Sequence, residues 1–239
     1  MNIKYISGYI PANYAAELGR AKIIATLHQA NADLDAHNNE GYTPAHCAAY
    51  TGHRSVIIAL QQAGADLSKQ AENGCAPAHF AAREGHVKVI EALHQANADL
   101  NIQDKKGNTP AHFAAELGHA KVIAALHQLG AELALQNRRK ETSLHLAVKH
   151  SQLVTVEALT SINISLDMQD SKGRTALHWA VKKGKLPVVK ALLKAGANIY
   201  IVDNKGRTPL VYLEKAIDTS EDDVEVEALI AIQLLLRSR

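Results

Sequence analysis

Thirteen histidines in a chain of 239 residues invite a metal or acid–base reading, because imidazole binds metals readily and titrates near neutrality. Five of them, His46, His79, His112, His145 and His178, recur at intervals of 33 residues. His46 precedes Cys47, a pairing that could supply a thiolate and its general base. Geometry argues against both readings. Neighbours on a helix point about 100° apart, and Cys47 occupies the slot that Phe80, Phe113, Leu146 and Trp179 fill in other intervals, so a small apolar filler is expected. Histidines placed once per structural unit form a ladder with rungs about 10 Å apart, whereas zinc ligands must all lie about 2 Å from one ion. The expected role is structural: each imidazole hydrogen-bonds turn backbone and ties adjacent units together. No phosphate-binding G-x-x-x-x-G-K-S/T loop, H-E-x-x-H zinc helix or G-x-S-x-G elbow is present. No catalytic, cofactor-binding or metal-ligating residue is assigned, and a non-enzymatic chain is expected.

The elements around these histidines are readable. GYTPAHCAAYTGHRSVI, GCAPAHFAAREGHVKVI and GNTPAHFAAELGHAKVI are separated by 33 residues each. In the third copy Thr109 is an N-cap candidate whose hydroxyl can accept from a free amide, and Pro110 suits the first helical position. A short helix then stops at Gly118. A second helix, AKVIAALHQL, places Val122, Ile123, Leu126 and Leu129 on one face. His53, His86 and His119 follow the stop and are expected to cap carbonyls or begin the second helix. His28, His94 and His127 end second helices, where the dipole favours a cation. Neither helix is long enough to stand alone, so each unit must bury its apolar face on its neighbours.

The 33-residue period, the T-P-x-H starts (TPAH, APAH, TPAH, TSLH, TALH), the Gly-His pairs and the A-D-L links resemble ankyrin repeats. The resemblance implies an all-α solenoid of stacked helix-turn-helix units with β-hairpin loops. It divides the chain into repeats near 5–37, 38–70, 71–103, 104–136, 137–169, 170–202 and 203–239, within a single domain. It also implies a concave face, built from hairpin tips and first-helix ends, on which a partner protein docks. Carried over by register, the candidate partner-binding residues are Tyr42, Tyr50, Arg83, Lys105, Lys106, Arg138, Arg139, Lys149, Lys172, Arg174, Trp179, Lys182, Lys183, Lys205 and Arg207. Trp179 is the candidate anchor.

Charge sharpens that expectation. The formal net charge of +2 conceals 7 Lys/Arg against 9 Asp/Glu in residues 1–103, 17 against 9 in 104–215, and 2 against 6 in 216–239. The tips turn basic over repeats 4–7, which points to an acidic segment on the partner. Nucleic acid is the disfavoured rival, since no aromatic stacking platform interleaves the basic residues. An inhibitor or substrate-recruiting subunit of an enzyme would use the same face. Two cysteines make no disulfide framework, no apolar run reaches the roughly 18 residues of a membrane span, and MNIKYISGYI lacks secretory-signal features. A cytoplasmic monomer is expected, with export that uses no cleaved signal left open by a resemblance of the PAHFAA repeats to bacterial effectors acting in host cells.

Three departures from the pattern carry expectations of their own. Repeat 5 has Lys140 for the turn glycine and Ser151–Gln152 for Gly-His, so a reshaped turn and local looseness are expected there. Cys75, at a tip, is expected to be accessible. The last repeat carries an acidic insertion at 218–227, read as a loop, with a cap or a competitor for the basic face as alternatives. Separately, LHQANADLN, ending at Asn101, is similar to sites that an asparaginyl hydroxylase modifies in ankyrin repeats.

Overall fold

The computed structural model describes residues 8–162, 164–219, 229–234 and 236. Most of the acidic insertion therefore lies outside the described residues. Among the described residues the helices run in the order α1 (Pro11–Glu17), α2 (Ala21–Gln29), α3 (Pro44–Thr51), α4 (Arg54–Gln62), α5 (Pro77–Arg83), α6 (Val87–Gln95), α7 (Pro110–Leu117), α8 (Ala120–Gln128), α9 (Ser143–Lys149), α10 (Leu153–Ser161), α11 (Ala176–Lys182), α12 (Leu186–Lys194) and α13 (Pro209–Thr219). Residues 229–234 are also helical. The links are tight turns rather than extended strands among the described residues, and the fold is all-α.

Two compact units are formed, unit 1 from the residues up to Ala114 with Ala125–Glu132, and unit 2 from Ala115–Ala124 with the chain from Leu133 onward. In unit 1, α1 packs on α3 and α3 on α5, while α2 packs on α4 and α4 on α6. In unit 2, α9 packs on α11 and α11 on α13, with α10 against α12. The first helices approach closely because their inner positions are small: Ala48, Ala49, Ala81, Ala82, Ala114, Ala115, Ala147 and Ala180 are all fully buried. The second helices bury an i, i+1, i+4 set, Val56/Ile57/Leu60, Val89/Ile90/Leu93, Val122/Ile123/Leu126 and Val188/Val189/Leu192. Each large side chain in such a set contributes about 1.5–3 kcal/mol of burial. Leu129, expected on that face, is only half-buried.

The turn of repeat 5, expected to be reshaped, keeps the hydrogen bonds of the other repeats. Asn137 N–H donates to Glu141 O at 2.9 Å and Lys140 N–H to Asn137 O at 2.8 Å, matching Asn38 to Tyr42 at 3.1 Å and Gly41 to Asn38 at 2.9 Å. Lys140 and Ser151 adopt φ of 56° and 59°, the left-handed values that glycine holds elsewhere. Elsewhere the glycine is needed on a second count: a Cβ on Gly74 would lie 2.6 Å from the Lys105 amide nitrogen.

A defect of repeat 5 lies instead in α10. Thr155 is fully buried and its hydroxyl has no hydrogen-bond partner among the described residues. The equivalent positions hold Val56, Val89, Val122 and Val188. Thr155→Val is expected to raise unfolding free energy by about 1 kcal/mol, since it removes an unsatisfied buried hydroxyl at constant shape. A urea midpoint that fails to rise would refute this account.

Candidate partner-binding surface

The recurring histidines bridge consecutive repeats. His46 Nδ1 accepts from the Thr43 N–H at 3.1 Å and pairs with the Thr43 hydroxyl at 2.9 Å. Its Nε2 faces the Cys75 carbonyl at 3.0 Å. A carbonyl can only accept, so Nε2 carries the proton and Nδ1 is the acceptor, with the Thr43 hydroxyl donating. His79 reaches Asn108 O at 2.9 Å, His145 reaches Arg174 O at 3.0 Å and His178 reaches Arg207 O at 3.0 Å. His112 makes the same Nδ1 contacts with Thr109, at 3.0 and 2.9 Å. The threonine hydroxyls thus serve mainly the imidazole. Thr43, Thr142 and Thr175 each also form a reciprocal capping pair with the histidine at the helix start, as where the Thr142 hydroxyl accepts from the His145 N–H at 3.5 Å. Burial lowers the pKa of His46 to about 4 and lowers those of His79, His145 and His178.

Two amides do the same work without titrating. In the first repeat Asn13 stands at the histidine position; its Oδ1 accepts from Ile10 N–H at 3.3 Å and its Nδ2 donates to Tyr42 O at 3.0 Å. At the second-helix starts, His53 Nε2 reaches Glu17 O and His86 Nε2 reaches Tyr50 O, both at 3.0 Å. Gln152 Nε2 makes the equivalent bond to Glu116 O at 3.1 Å. A position that an amide fills by the same bonds needs a donor and an acceptor, not a proton shuttle or a metal ligand. His28, His94 and His127 are exposed at helix ends.

The cysteines are buried and free. Cys47 accepts from Asn13 Nδ2 at 3.4 Å, and burial raises its pKa. Cys75 is 7% exposed rather than accessible, and burial pushes its thiol up to about 11. Neither has the lowered pKa of a nucleophile.

The hairpin tips are built by residues that the sequence reading passed over. Asn137 Oδ1 accepts from Arg139 N–H at 2.9 Å and Glu141 N–H at 3.0 Å; Asp104, Asp170 and Asp203 repeat the motif on Lys106 and Asn108, Lys172 and Arg174, Lys205 and Arg207. Just before them, Gln70 Nε2 donates to Gly74 O at 2.6 Å and to Gln103 O at 2.8 Å. Gln136 donates likewise to Lys140 O and Gln169 O at 2.7 and 3.0 Å. The signal was available: a glutamine recurs every 33 residues at 70, 103, 136 and 169.

The candidate contact residues separate into three groups. In unit 1, Tyr42, Phe80 and Tyr50 stack edge-on, Tyr42 to Phe80 at 5.3 Å and Tyr50 to Phe80 at 6.3 Å. Tyr42 and Phe80 also line a small, shallow cleft with Asn73, Cys75, His79, Arg83 and Phe113. Arg83 lies 3.7 Å from Glu84, and Lys105 and Lys106 are exposed.

In unit 2, three expected contact cations are committed within the fold. Arg174, only 11% exposed in its side chain, binds Asp170 Oδ2 through Nε at 3.0 Å and Nη2 at 2.8 Å. Its guanidinium stacks 3.9 Å from the Trp179 ring, and Trp179 Nε1 donates to the same carboxylate at 3.1 Å. Arg207 binds Asp203 in the same way, over Tyr212. Lys149 pairs with buried Glu141 at 2.7 Å. Trp179, half-buried, also has the Lys149 and Lys182 ammonium groups 4.8 and 5.3 Å from its ring.

The other candidate cations of unit 2, Arg138, Arg139, Lys172, Lys182, Lys183 and Lys205, are exposed and form no ion pair among the described residues. Glu141, Asp170 and Asp203, the acids beside them, are all buried. The tips lie side by side, since Ser171 N–H donates to Arg139 O at 2.9 Å and Asn204 N–H to Lys172 O at 3.0 Å. Among the described residues no cluster of His, Cys, Asp or Glu could hold a metal ion, and no helix is long and apolar enough to cross a membrane.

Comparisons agree with this architecture. No curated protein matches the chain by sequence. The ankyrin repeat domain of human ASB11 superposes with a TM-score of 0.79 at 21% identity, over 94% of this chain and 98% of that one. The ankyrin repeat domain of Bcl-3, described as a unique member of the IkappaB protein family, superposes with a TM-score of 0.78 at 24% identity, over 93% and 99%. Likeness at such identity is likeness of fold. Family models of ankyrin repeats match residues 59–137, 78–170, 125–203 and 144–225 in three-copy form and 13–61 in many-copy form. With ankyrin repeats matched from residue 13 to residue 225 and the same histidine bridge recurring at His46, His79, His145 and His178, the chain belongs to the ankyrin repeat family.

Proposed function

We propose that the protein is a non-catalytic interaction module whose unit 2 binds an acidic segment of a partner protein along its hairpin tips and first-helix ends. Ankyrin repeats are in general protein-binding modules, and the reading adds the chemistry of the partner. The observation that carries it is the asymmetry of charge in unit 2. The tip acids Glu141, Asp170 and Asp203 are buried and neutralised by Lys149, Arg174 and Arg207, while Arg138, Arg139, Lys172, Lys182, Lys183 and Lys205 stand exposed without counter-ions among the described residues. Such a surface speeds encounter with an anionic partner and loses that advantage as salt rises. Tyr42, Tyr50 and Arg83 beside the aromatic cleft, with Lys105 and Lys106, are a separate proposed contact in unit 1.

The test is charge reversal of Arg138, Arg139, Lys172 and Lys183 together to Glu. Binding of a fluorescein-labelled polyglutamate peptide, followed by anisotropy at 50 and 200 mM salt, is expected to fall at least about 10-fold, with its salt dependence flattened. Unchanged affinity in the quadruple variant, with native circular dichroism, would refute the reading.

A further inference from the structure

One tip of unit 2 differs from the others in a way the fold does not require. Between Asn137 and Glu141 stand three consecutive cations, Arg138, Arg139 and Lys140, all exposed. Lys140 holds φ 56° where the equivalent positions are Gly41, Gly74, Gly107, Gly173 and Gly206. A side chain is disfavoured in that conformation, and this one makes no ion pair or hydrogen bond among the described residues that would offset the strain. What it adds at that point is charge. The backbone beneath is pinned from three sides: by Asn137 Oδ1, by Gln136 Nε2 on Lys140 O at 2.7 Å, and by Ser171 N–H on Arg139 O at 2.9 Å. The last bond sets Lys172 on the adjoining tip.

We propose that this tip is a phosphate site that takes a phosphoserine or phosphothreonine within the partner's acidic segment. Two guanidinium forks and an ammonium on one rigid turn match a group with a charge of about −2 and three acceptor oxygens. A single carboxylate would leave two of the three cations without a counter-charge. The tips of unit 2 at 138–141, 171–174 and 204–207 contain no aromatic residue on which a base could stack, so a phosphoprotein segment fits better than a nucleic acid. The inference rests on the reading of these tips as the partner-binding face, and it names the group that the centre of that face selects.

The experiment uses the full chain and three labelled probes read by anisotropy: a Glu/Asp/Gly peptide with a central phosphoserine, the same peptide with serine, and an oligothymidylate of equal charge. The phosphopeptide is expected to bind about 10-fold or more tightly than either other probe. Arg138→Gln with Arg139→Gln should abolish that preference. Lys140→Gly should weaken phosphopeptide binding about 3-fold or more while raising the thermal midpoint, because it removes both a charge and the strain. A residue with a merely structural role would not couple the two in opposite directions. Equal affinity for the phosphoserine and serine peptides would overturn the phosphate site and leave the acidic-segment reading standing. Preference for oligothymidylate would overturn it in favour of nucleic acid, and failure of both peptides to bind would overturn both readings. A Lys140→Gly variant with unchanged phosphopeptide affinity would also overturn it.

Discussion

Replacing His145 by alanine is expected to lower the unfolding free energy of unit 2 by about 3–5 kcal/mol. His145 is buried at 1% exposure, accepts from Thr142 N–H at 3.2 Å, pairs with the Thr142 hydroxyl at 2.9 Å and donates to Arg174 O at 3.0 Å. Alanine orphans a buried amide and a buried carbonyl, each costing about 1–3 kcal/mol, and leaves a ring-sized void besides. His145→Asn is expected to recover part of the loss, because Asn13 spans the same pair of partners in the first repeat. Urea unfolding by circular dichroism measures the first quantity, and hydrogen exchange over residues 142–175 locates it. A loss below about 1 kcal/mol for the alanine variant would mean that the imidazole is a filler rather than a bridge.

Acid is expected to unfold the protein in two stages, the first of them well above the carboxylate range. A buried histidine whose Nδ1 already accepts a hydrogen bond cannot take up a proton there without breaking that bond. Burial holds His46 at about 4, against 6.5 for an unhindered histidine, and His79, His145 and His178 shift the same way. Between pH 6.5 and 4 the unfolded chain therefore binds more protons than the folded one, and stability falls with pH across that window. For His46 alone the loss is about 3 kcal/mol. The second stage comes from Asp170 and Asp203. Burial raises their pKa values, but hydrogen bonds from Arg174 and Trp179 to one, and from Arg207 and Tyr212 to the other, outweigh burial and hold both carboxyls low. Their contribution is full above the ordinary aspartate value and is lost as pH drops below it. Urea midpoints at pH 7.5, 6.0, 5.0 and 4.5 would show the first stage, and His46→Asn should flatten part of its slope. Midpoints that stay level from pH 7.5 to 4.5 would contradict the bridging role of the histidines.

Much of this was legible in the residues themselves. The 33-residue period, the paired helices, the small inner faces of the first helices and the structural role of the histidines all follow from local rules. Where local rules were stretched, they erred in identifiable places. In repeat 5 the replacement of glycine by Lys140 and Ser151 pointed to a reshaped turn. The turn keeps its bonds because Asn137 and Gln136 hold it, and the defect sits at Thr155 in α10, a position that no glycine marks. Cys75 was placed at an open tip and is covered. Arg174 and Arg207 were counted with the surface cations, although Asp170 and Asp203 take up their charge.

By itself the sequence determined what depends on spacing. Helix periodicity, N-terminal prolines and left-handed glycines act over a few residues, so they can be read in order along the chain. Tertiary structure alone decided which polar groups remain available. The partner of His145 lies 29 residues on, that of Gln152 lies 36 residues back, and Lys149 reaches Glu141 across a helix. A charge left over for a partner is whatever such contacts do not consume. In unit 2 they consume Arg174, Arg207 and Lys149 and leave the Arg138–Arg139–Lys140 tip, because packing buries the carboxylates beside the first three and, among the described residues, sets none against the last.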